Sequence, residues 1–328
     1  MKNKQVVLGI DTSCYTTSLA IMTVTGELIG DFRRILTVKA GGCGLAQSEM
    51  VFQHTRNLPE LIEQIEDMND LQVVAIGVSN RPRPLAESYM PAFLTGLGLA
   101  RSLAKVLQVP IFTLSHQENH LEAGLWSAGG PSTSRFLLLH ASGGTTDIMK
   151  VTRQEDCSFI LETVGESIDL HAGQFIDRVG VALGLPFPAG PHLEQLAKNA
   201  KELFELPVAV KKEKISFSGP ATAALRAIAA GADKAAIARG TEIAIGEAFH
   251  RSLRNVCSQE NIQDILLVGG VAANKFIRDL LIAKLAKRNI KIYVPEAKYS
   301  GDGAVGTAAH AMKRMRDGNA NGKSVYCN

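Results

Sequence analysis

The chain has 328 residues, 46% hydrophobic and 20% charged, with a formal net charge of +3. This globular composition excludes a disordered chain, the length suggests about two domains, and the charge is too small to imply a polyanion partner by itself. Five scattered cysteines (Cys14, Cys43, Cys157, Cys257, Cys327) without a Cys-x-x-Cys pair exclude a disulfide framework and a cysteine zinc site, and fit a reducing compartment. Met1-Lys2-Asn3-Lys4 runs straight into a strand-like segment, so no signal peptide is expected. No apolar run reaches the ~20 residues of a membrane span, and a cytoplasmic location is expected.

In chain order, apolar runs at Gln5–Ile10, Thr17–Val24 and Leu28–Val38 predict three strands joined by hairpins, followed by a glycine-rich loop, Lys39–Gly44. Glu49–Met68 has helical periodicity through Val51, Leu58, Leu61, Ile62 and Ile65. A strand at Gln72–Val78, a helix at Ala92–Leu107 and a strand at Val109–Leu114 complete a β-β-β-α-β-α-β order. The order then recurs. Strands are predicted at Phe136–Ala141, Thr146–Val151 and Phe159–Val164, then helices at Ala172–Leu183, His192–Lys198, Ala221–Ala230 and Asp233–Gln259. A strand (Ile265–Val268), a helix (Asn274–Lys287), a strand (Lys291–Val294) and a last helix (Gly303–Met315) follow, with a flexible tail, 317–328. Two such halves imply a duplicated α/β fold of two lobes with a central cleft, linked near Gly129-Gly130-Pro131-Ser132. The expected lobes are residues 1–115 with 302–316, and 116–301.

His116 and His120 are the most informative pair. Four apart on a helix, their Cβ atoms lie about 5–6 Å apart on one face, a spacing that suits two ligands of one transition metal. They directly follow a predicted strand, and open α/β sheets place their sites at the carboxyl ends of strands. Three polar loops also follow strands: Asp11-Thr12-Ser13, Ser142-Gly143-Gly144-Thr145-Thr146-Asp147 and Gly269-Gly270-Val271-Ala272-Ala273-Asn274. Glycine serves any tight turn, but a hairpin tip of glycines also exposes N–H groups to a phosphate, and a strand–Gly-Gly–helix junction suits a nucleoside. Asp11 reads either as a turn cap or as an acid near phosphate or metal.

These motifs resemble the TsaD family, threonylcarbamoyl-transferases of tRNA modification formerly described as O-sialoglycoprotein endopeptidases. The matching stretches are Gly9-Ile10-Asp11-Thr12-Ser13-Cys14, His116-Gln117-Glu118-Asn119-His120, Ser142-Gly143-Gly144 and Gly165-Glu166-Ser167-Ile168-Asp169. They continue through Ala172-Gly173-Gln174-Phe175-Ile176-Asp177, Gly184 to Pro191, Ile215 to Gly219, and Gly269 to Asn274, in order over residues 9 to about 310. The resemblance implies the actin-like, sugar-kinase-like (ASKHA) fold. It implies that His116 and His120 hold a divalent metal, iron or zinc. Gly143, Gly144, Asp177, Gly190 and Asn274 would contact an adenylate, joined on the residue reading by Ser142, Gly269 and Gly270; ATP is the other nucleotide expected. The adenine N6 of a tRNA would attack the carbamoyl carbon and expel AMP.

Four departures from the family pattern stand in the site. Ser79-Asn80-Arg81-Pro82-Arg83-Pro84 replaces a Gly-Pro-Gly loop, Thr145 replaces a histidine, and Asn119 replaces a glycine within the His pair. The family's third metal ligand is an aspartate two residues before a Gly-Ala. Aligned on Gly303-Ala304, that place is Gly301, and Asp302 comes one residue late. Asp302 is the expected third ligand with Asp11 the reserve, Asp11 and Asp302 are the catalytic candidates, and an N-cap is the plain alternative for Asp302. The chain reads as a divergent paralogue: a metal- and nucleotide-binding transferase of threonylcarbamoyl or carbamoyl groups. The alternatives are an ATP-dependent carbamoyl- or phosphoryl-transferase or ATPase, and a non-catalytic nucleotide-sensing partner. Expected partners are a nucleotide, tRNA or a small anionic substrate that Arg81 and Arg83 would bind, and a related family protein. A protease is disfavoured, because Glu118 sits at the wrong offset for His-Glu-x-x-His.

Overall fold

The computed structural model describes residues 4–13, 15–38, 45–66, 68–154 and 158–321, with side chains to 316. The predicted loop 39–44, four of the cysteines (Cys14, Cys43, Cys157, Cys327) and residues 322–328 lie outside the described residues. The chain divides into two compact units. The first comprises 1–127, 154–158 and 302–328, and the second 128–153 and 159–301. The first boundary thus falls at 127/128, one helix later than the expected 115/116.

In the first unit, β1 (Lys4–Asp11), β2 (Thr16–Thr23) and β3 (Leu28–Ile35) form an antiparallel meander. Next come α1 (Gln47–Ile62), β4 (Leu71–Arg81), α2 (Ala92–Leu107), β5 (Ile111–Ser115) and α3 (His116–Ala128). β4 and β5 join in parallel, giving the sheet order β3-β2-β1-β4-β5. Alternation along β1 sorts its side chains by face. Val6, Leu8 and Ile10 pack with Leu58 and Leu61 of α1 and Ala100 and Ala104 of α2. Gly9 lies on the opposite face, against the final helix, where an added Cβ would stand 2.4 Å from the Ala304 carbonyl oxygen. Asp11 falls on the Gly9 face, two residues along.

The second unit repeats the plan. β6 (Arg135–Ala141), β7 (Thr146–Arg153) and β8 (Phe159–Ser167) form the meander. Four helices follow β8: α4 (Ala172–Ala182), α5 (Gly190–Ala197), α6 (Ser218–Ala229) and α7 (Lys234–Glu260). β9 (Ala209–Lys211) and β10 (Lys214–Ser216) fall before α6. After α7 come β11 (Asp264–Val268), α8 (Lys275–Ala286) and β12 (Lys291–Tyr293), with β11 parallel to both β6 and β12. The sheet order is β12-β11-β6-β7-β8-β10-β9. Read from the meander inward, β8-β7-β6-β11-β12 copies β3-β2-β1-β4-β5 in order and direction, which bears out the duplication. The core beneath it includes Leu137 and Leu139 of β6, Phe175 of α4, Phe249 of α7 and Leu281 of α8.

Three local expectations change. The helix predicted over 49–68 ends at Ile62, and Ile65 closes a turn instead, its N–H bonding the Ile62 carbonyl. β9 and β10 escape prediction because three-residue strands around Lys211-Lys212-Glu213-Lys214 carry no hydrophobic alternation. The last helix, α9 (Val305–Asn321), runs five residues into the expected tail.

Candidate functional site

The first unit builds a three-donor cluster. Ser115 N-caps α3: its N–H and its hydroxyl both donate to Glu118 Oε2 at 2.7 Å, and the Glu118 N–H bonds back to Ser115 Oγ at 3.3 Å. This capping box fixes the first turn of α3, from which His116 and His120 project. It also gives Glu118 a structural role. Phe93 of α2 packs edge-on against the His116 ring, at 6.2 Å between centroids.

Close packing brings the segment before α9 to that turn. A Cβ on Gly306 would stand 1.9 Å from the Asn119 carbonyl oxygen, and one on Gly77 2.0 Å from that of Thr307, so only glycine allows these approaches. Asn119 Nδ2 donates to the Gly303 carbonyl at 2.8 Å. Arg33, paired with Asp31, donates from Nη1 to the Asp302 carbonyl at 3.2 Å. Further along, buried Glu122 of α3 accepts from Lys313 and contacts His310 Nδ1 of α9 at 3.3 Å. Burial works to raise the Glu122 carboxyl, but Lys313 and His310 outweigh it and hold it below its ordinary value.

The result sets Asp302 Oδ1 3.4 Å from Nε2 of both His116 and His120, whose Nε2 atoms are 3.1 Å apart. Among the described residues this is the one cluster of three potential metal donors, all within 4.8 Å. Bonds of roughly 2.0–2.1 Å to a common ion give donor–donor edges of about 3.0 Å in an octahedron and about 3.4 Å in a tetrahedron. The observed edges span that range. The three donors therefore fit a divalent transition metal. α9 begins at Val305, so Asp302 lies too early to be its N-cap. Its side chain stays 25% exposed, against 11% for His116 and 3% for His120, leaving one side of the cluster open.

The protonation states suit metal donors. Burial, then the neighbouring His116 charge, pushes His120 below the ordinary histidine value. Burial works to raise Asp302, yet hydrogen bonds and charge from His116 and His120 hold it well below the usual carboxylate range. Asp11 is fully buried and raised by burial, partly offset by His116, Ser13 and Ser79. Ser13 Oγ donates to its Oδ2 at 2.5 Å, Ser79 Oγ to its Oδ1, and Oδ1 faces His116 Nδ1 at 3.9 Å. Asp11 thus stands behind His116 rather than at the open face.

The second unit gathers the glycine loops. β6 and β11 are parallel, with Val268 beside His140, so Ser142-Gly143-Gly144 and Gly269-Gly270 emerge side by side at the carboxyl ends of the two strands. Gly269 takes φ +93°, and a Cβ there would meet the Ala141 carbonyl oxygen at 2.3 Å. The N-terminus of α4 abuts the hairpin tip: the Gly173 N–H donates to the Ser142 carbonyl at 3.1 Å, and a Cβ on Gly173 would meet Gly143 N at 2.6 Å. By contrast, a Cβ on Gly143, Gly144, Gly190 or Gly270 would meet no atom within 4 Å.

Asp177 and Asn274 carry internal bonds. Asp177 Oδ1 accepts from the Ala189 N–H at 2.8 Å, tying α4 to the residue before Gly190. Asn274 N-caps α8, accepting from the Ile277 N–H at 3.0 Å, while its Nδ2 donates to Glu242 Oε1 at 2.7 Å. Glu242, missed in the sequence, is fully buried and also accepts from Arg239 Nη1 at 2.6 Å. Burial pushes its carboxyl up to about 7, against the lowering pull of Asn274 and Arg239. The contacts of Ser79, Asn119 and Arg33 are equally invisible in one dimension, because each reaches a distant segment.

The sequence profile of TsaD, tRNA N6-adenosine threonylcarbamoyltransferase, matches residues 39–309. The chain belongs to the TsaD family. A tRNA N6-adenosine threonylcarbamoyltransferase of Aromatoleum aromaticum is 30% identical over 330 residues, covering 97% of this chain and 94% of that one. A probable bifunctional tRNA threonylcarbamoyladenosine biosynthesis protein of Methanocaldococcus jannaschii is 29% identical over 300 residues; they are 90% of this chain but only 53% of that protein, about half its length. A ROK family glucokinase from Streptomyces griseus shares the fold at TM-score 0.53 and 10% identity, over 94% of this chain and 99% of that one. This TsaD family member therefore has the expected sugar-kinase-like architecture. No helix among its described residues is long and apolar enough to cross a membrane.

Proposed function

We propose that this chain is a metal- and nucleotide-binding transferase that moves a threonylcarbamoyl group from an adenylate to N6 of a tRNA adenosine. The observation that carries the reading is the convergence of His116, His120 and Asp302 on one point in a TsaD family chain. Two imidazoles and a carboxylate with an open side suit Fe(II) or Zn(II). An ion held there would supply Lewis acidity toward a carbonyl or phosphoryl oxygen.

The chain's own residues prepare that chemistry. With Nε2 as the donor to an ion, the His116 ring proton would rest on Nδ1, on the side of Asp11. Ser13 and Ser79 fix Asp11 there, so the pair would orient His116. In the second unit, Ser142, Gly143, Gly144, Gly190, Gly269 and Gly270 would receive the nucleotide, the glycines that face open space allowing backbone approach. Asp177 and Asn274 would shape that surface from behind. In the reaction, N6 attacks the carbamoyl carbon, the bond to the phosphate oxygen breaks, AMP leaves, and N6 gives up a proton.

The test is transfer of label from threonylcarbamoyl-adenylate to tRNA by the metal-loaded protein. Labelled tRNA is expected from the wild type and at least 100-fold less from Asp302→Ala. Consumption of the adenylate with no label in tRNA, even with related family proteins added, would refute the acceptor.

A further inference from the structure

At the end of β4, Asn80 and Arg81 both leave a buried polar atom unsatisfied. Asn80 Oδ1 and Arg81 Nε are shut off from solvent and have no hydrogen-bond partner, and Arg81 forms no ion pair among the described residues. A buried guanidinium N–H without an acceptor, and a buried carbonyl oxygen without a donor, are unfavourable unless something else completes them.

Their place in the fold says what that is. The pairing of β4 with β5 slips between Ser79 and Arg81, a bulge of the kind that re-aims side chains beside sites. Arg81 then lies opposite Ser115, the residue before His116, one strand spacing away, about 5 Å. Pro82 holds the loop down, its carbonyl accepting the Gln117 N–H at 3.2 Å. Ser79, at the other side of the bulge, bonds Asp11. The bulge that carries Asn80 and Arg81 is thus joined to the first turn of α3, the turn that holds His116.

From this we infer that Asn80 and Arg81 form an oxyanion subsite that grips the acyl donor. Arg81 supplies a planar fork of N–H donors, the geometry that binds a carboxylate or phosphate through two parallel bonds. Asn80 Oδ1 asks for an adjacent N–H or O–H. An N-carbamoyl amino acid offers both, a carboxylate with an N–H one carbon away, so its carboxylate is the favoured occupant and the phosphate of the adenylate the other source of the same chemistry. The inference rests on the reading that the acyl donor reacts at the three-donor cluster.

The experiment is calorimetry of the full-length, zinc-loaded protein with three probes: N-carbamoyl-threonine, its carboxamide and AMP. Arg81→Met is expected to weaken the acid by about 10- to 100-fold. It should leave AMP and the carboxamide unchanged, and Arg81→Lys, which keeps the charge but not the fork, should recover only part. Loss of AMP affinity instead would keep the subsite and assign it to the phosphate. Wild-type affinity of Arg81→Met for both acid and AMP overturns the inference. A protein that binds the acid through Arg81 yet never labels tRNA keeps the subsite and refutes the acceptor, so the two failures are distinguishable.

Discussion

Gly306→Ala should open the three-donor cluster without touching any of its donors. The new Cβ would stand 1.9 Å from the Asn119 carbonyl oxygen and 2.4 Å from its Oδ1. Taking contact at about 3.4 Å, α9 and α3 must part by roughly 1.5 Å. Both partners are backbone in helices, so no side-chain rotation relieves the clash. Overpacking of this kind costs about 1–3 kcal/mol, while Gly to Ala in a helix returns at most about 1 kcal/mol and less in the first turn. The net expectation is a destabilisation of about 1–2 kcal/mol in urea denaturation. The effect on the metal should be larger in proportion. Coordination tolerates only about 0.2 Å, and the parting stretches the Asn119–Gly303 bond that holds Asp302 in place, so metal affinity should fall by more than about 10-fold. The control is Gly98→Ala in α2, where a Cβ meets nothing within 4 Å and stability should rise by about 0.5–1 kcal/mol. A Gly306→Ala protein as stable as the wild type, with wild-type metal affinity, refutes the reasoning.

Further outcomes follow from the second unit. The Glu242 carboxyl is raised from 4.5 to about 7, so the native state binds the extra proton between those values and stability falls as pH rises through that window, by up to about 3 kcal/mol. Glu242→Gln should remove that slope, and urea midpoints at pH 5 and 8 that shift equally in both proteins would contradict it. Gly269→Ala should destabilise, because residue 269 holds φ +93° and its Cβ enters the Ala141 carbonyl. Gly270→Val should leave the melting temperature within about 2 °C while weakening AMP by calorimetry, and unchanged AMP affinity would remove that loop from the nucleotide surface. Affinity of the isolated chain for tRNA should depend only shallowly on salt, given the net charge of +3; a slope steeper than about −5 in log–log form would reveal a basic face.

The scaffold was largely legible because it rests on local signals. Val6, Leu8 and Ile10 alternate as a half-buried strand must, and the two meanders repeat the same order of elements. The His116–His120 pair was legible for the same reason, since both residues lie on one helical turn. Asp302 was harder. Its index in the sequence placed it one residue late, but position in space is set by how closely α9 approaches α3, and that depends on Gly77, Gly306 and Asn119 from three separate elements. Asp11 was read as a ligand candidate and lies behind His116 instead, because two hydroxyls 66 residues apart in the chain, Ser13 and Ser79, enclose it. Arg33 clasps Asp31 and the Asp302 carbonyl, the second contact 269 residues away in the chain and so without a local signal.

Metal content tests the central claim most directly. The wild type, His116→Ala, His120→Ala and Asp302→Ala should be purified without chelator, reconstituted with iron or zinc, desalted, and measured by elemental analysis. About one equivalent of transition metal is expected in the wild type and less than about a tenth in each histidine variant, with Asp302→Ala also losing its ion on desalting. A wild type that retains no stoichiometric metal after reconstitution contradicts the claim, and an Asp302→Ala protein that keeps a full equivalent removes Asp302 from the ligand set.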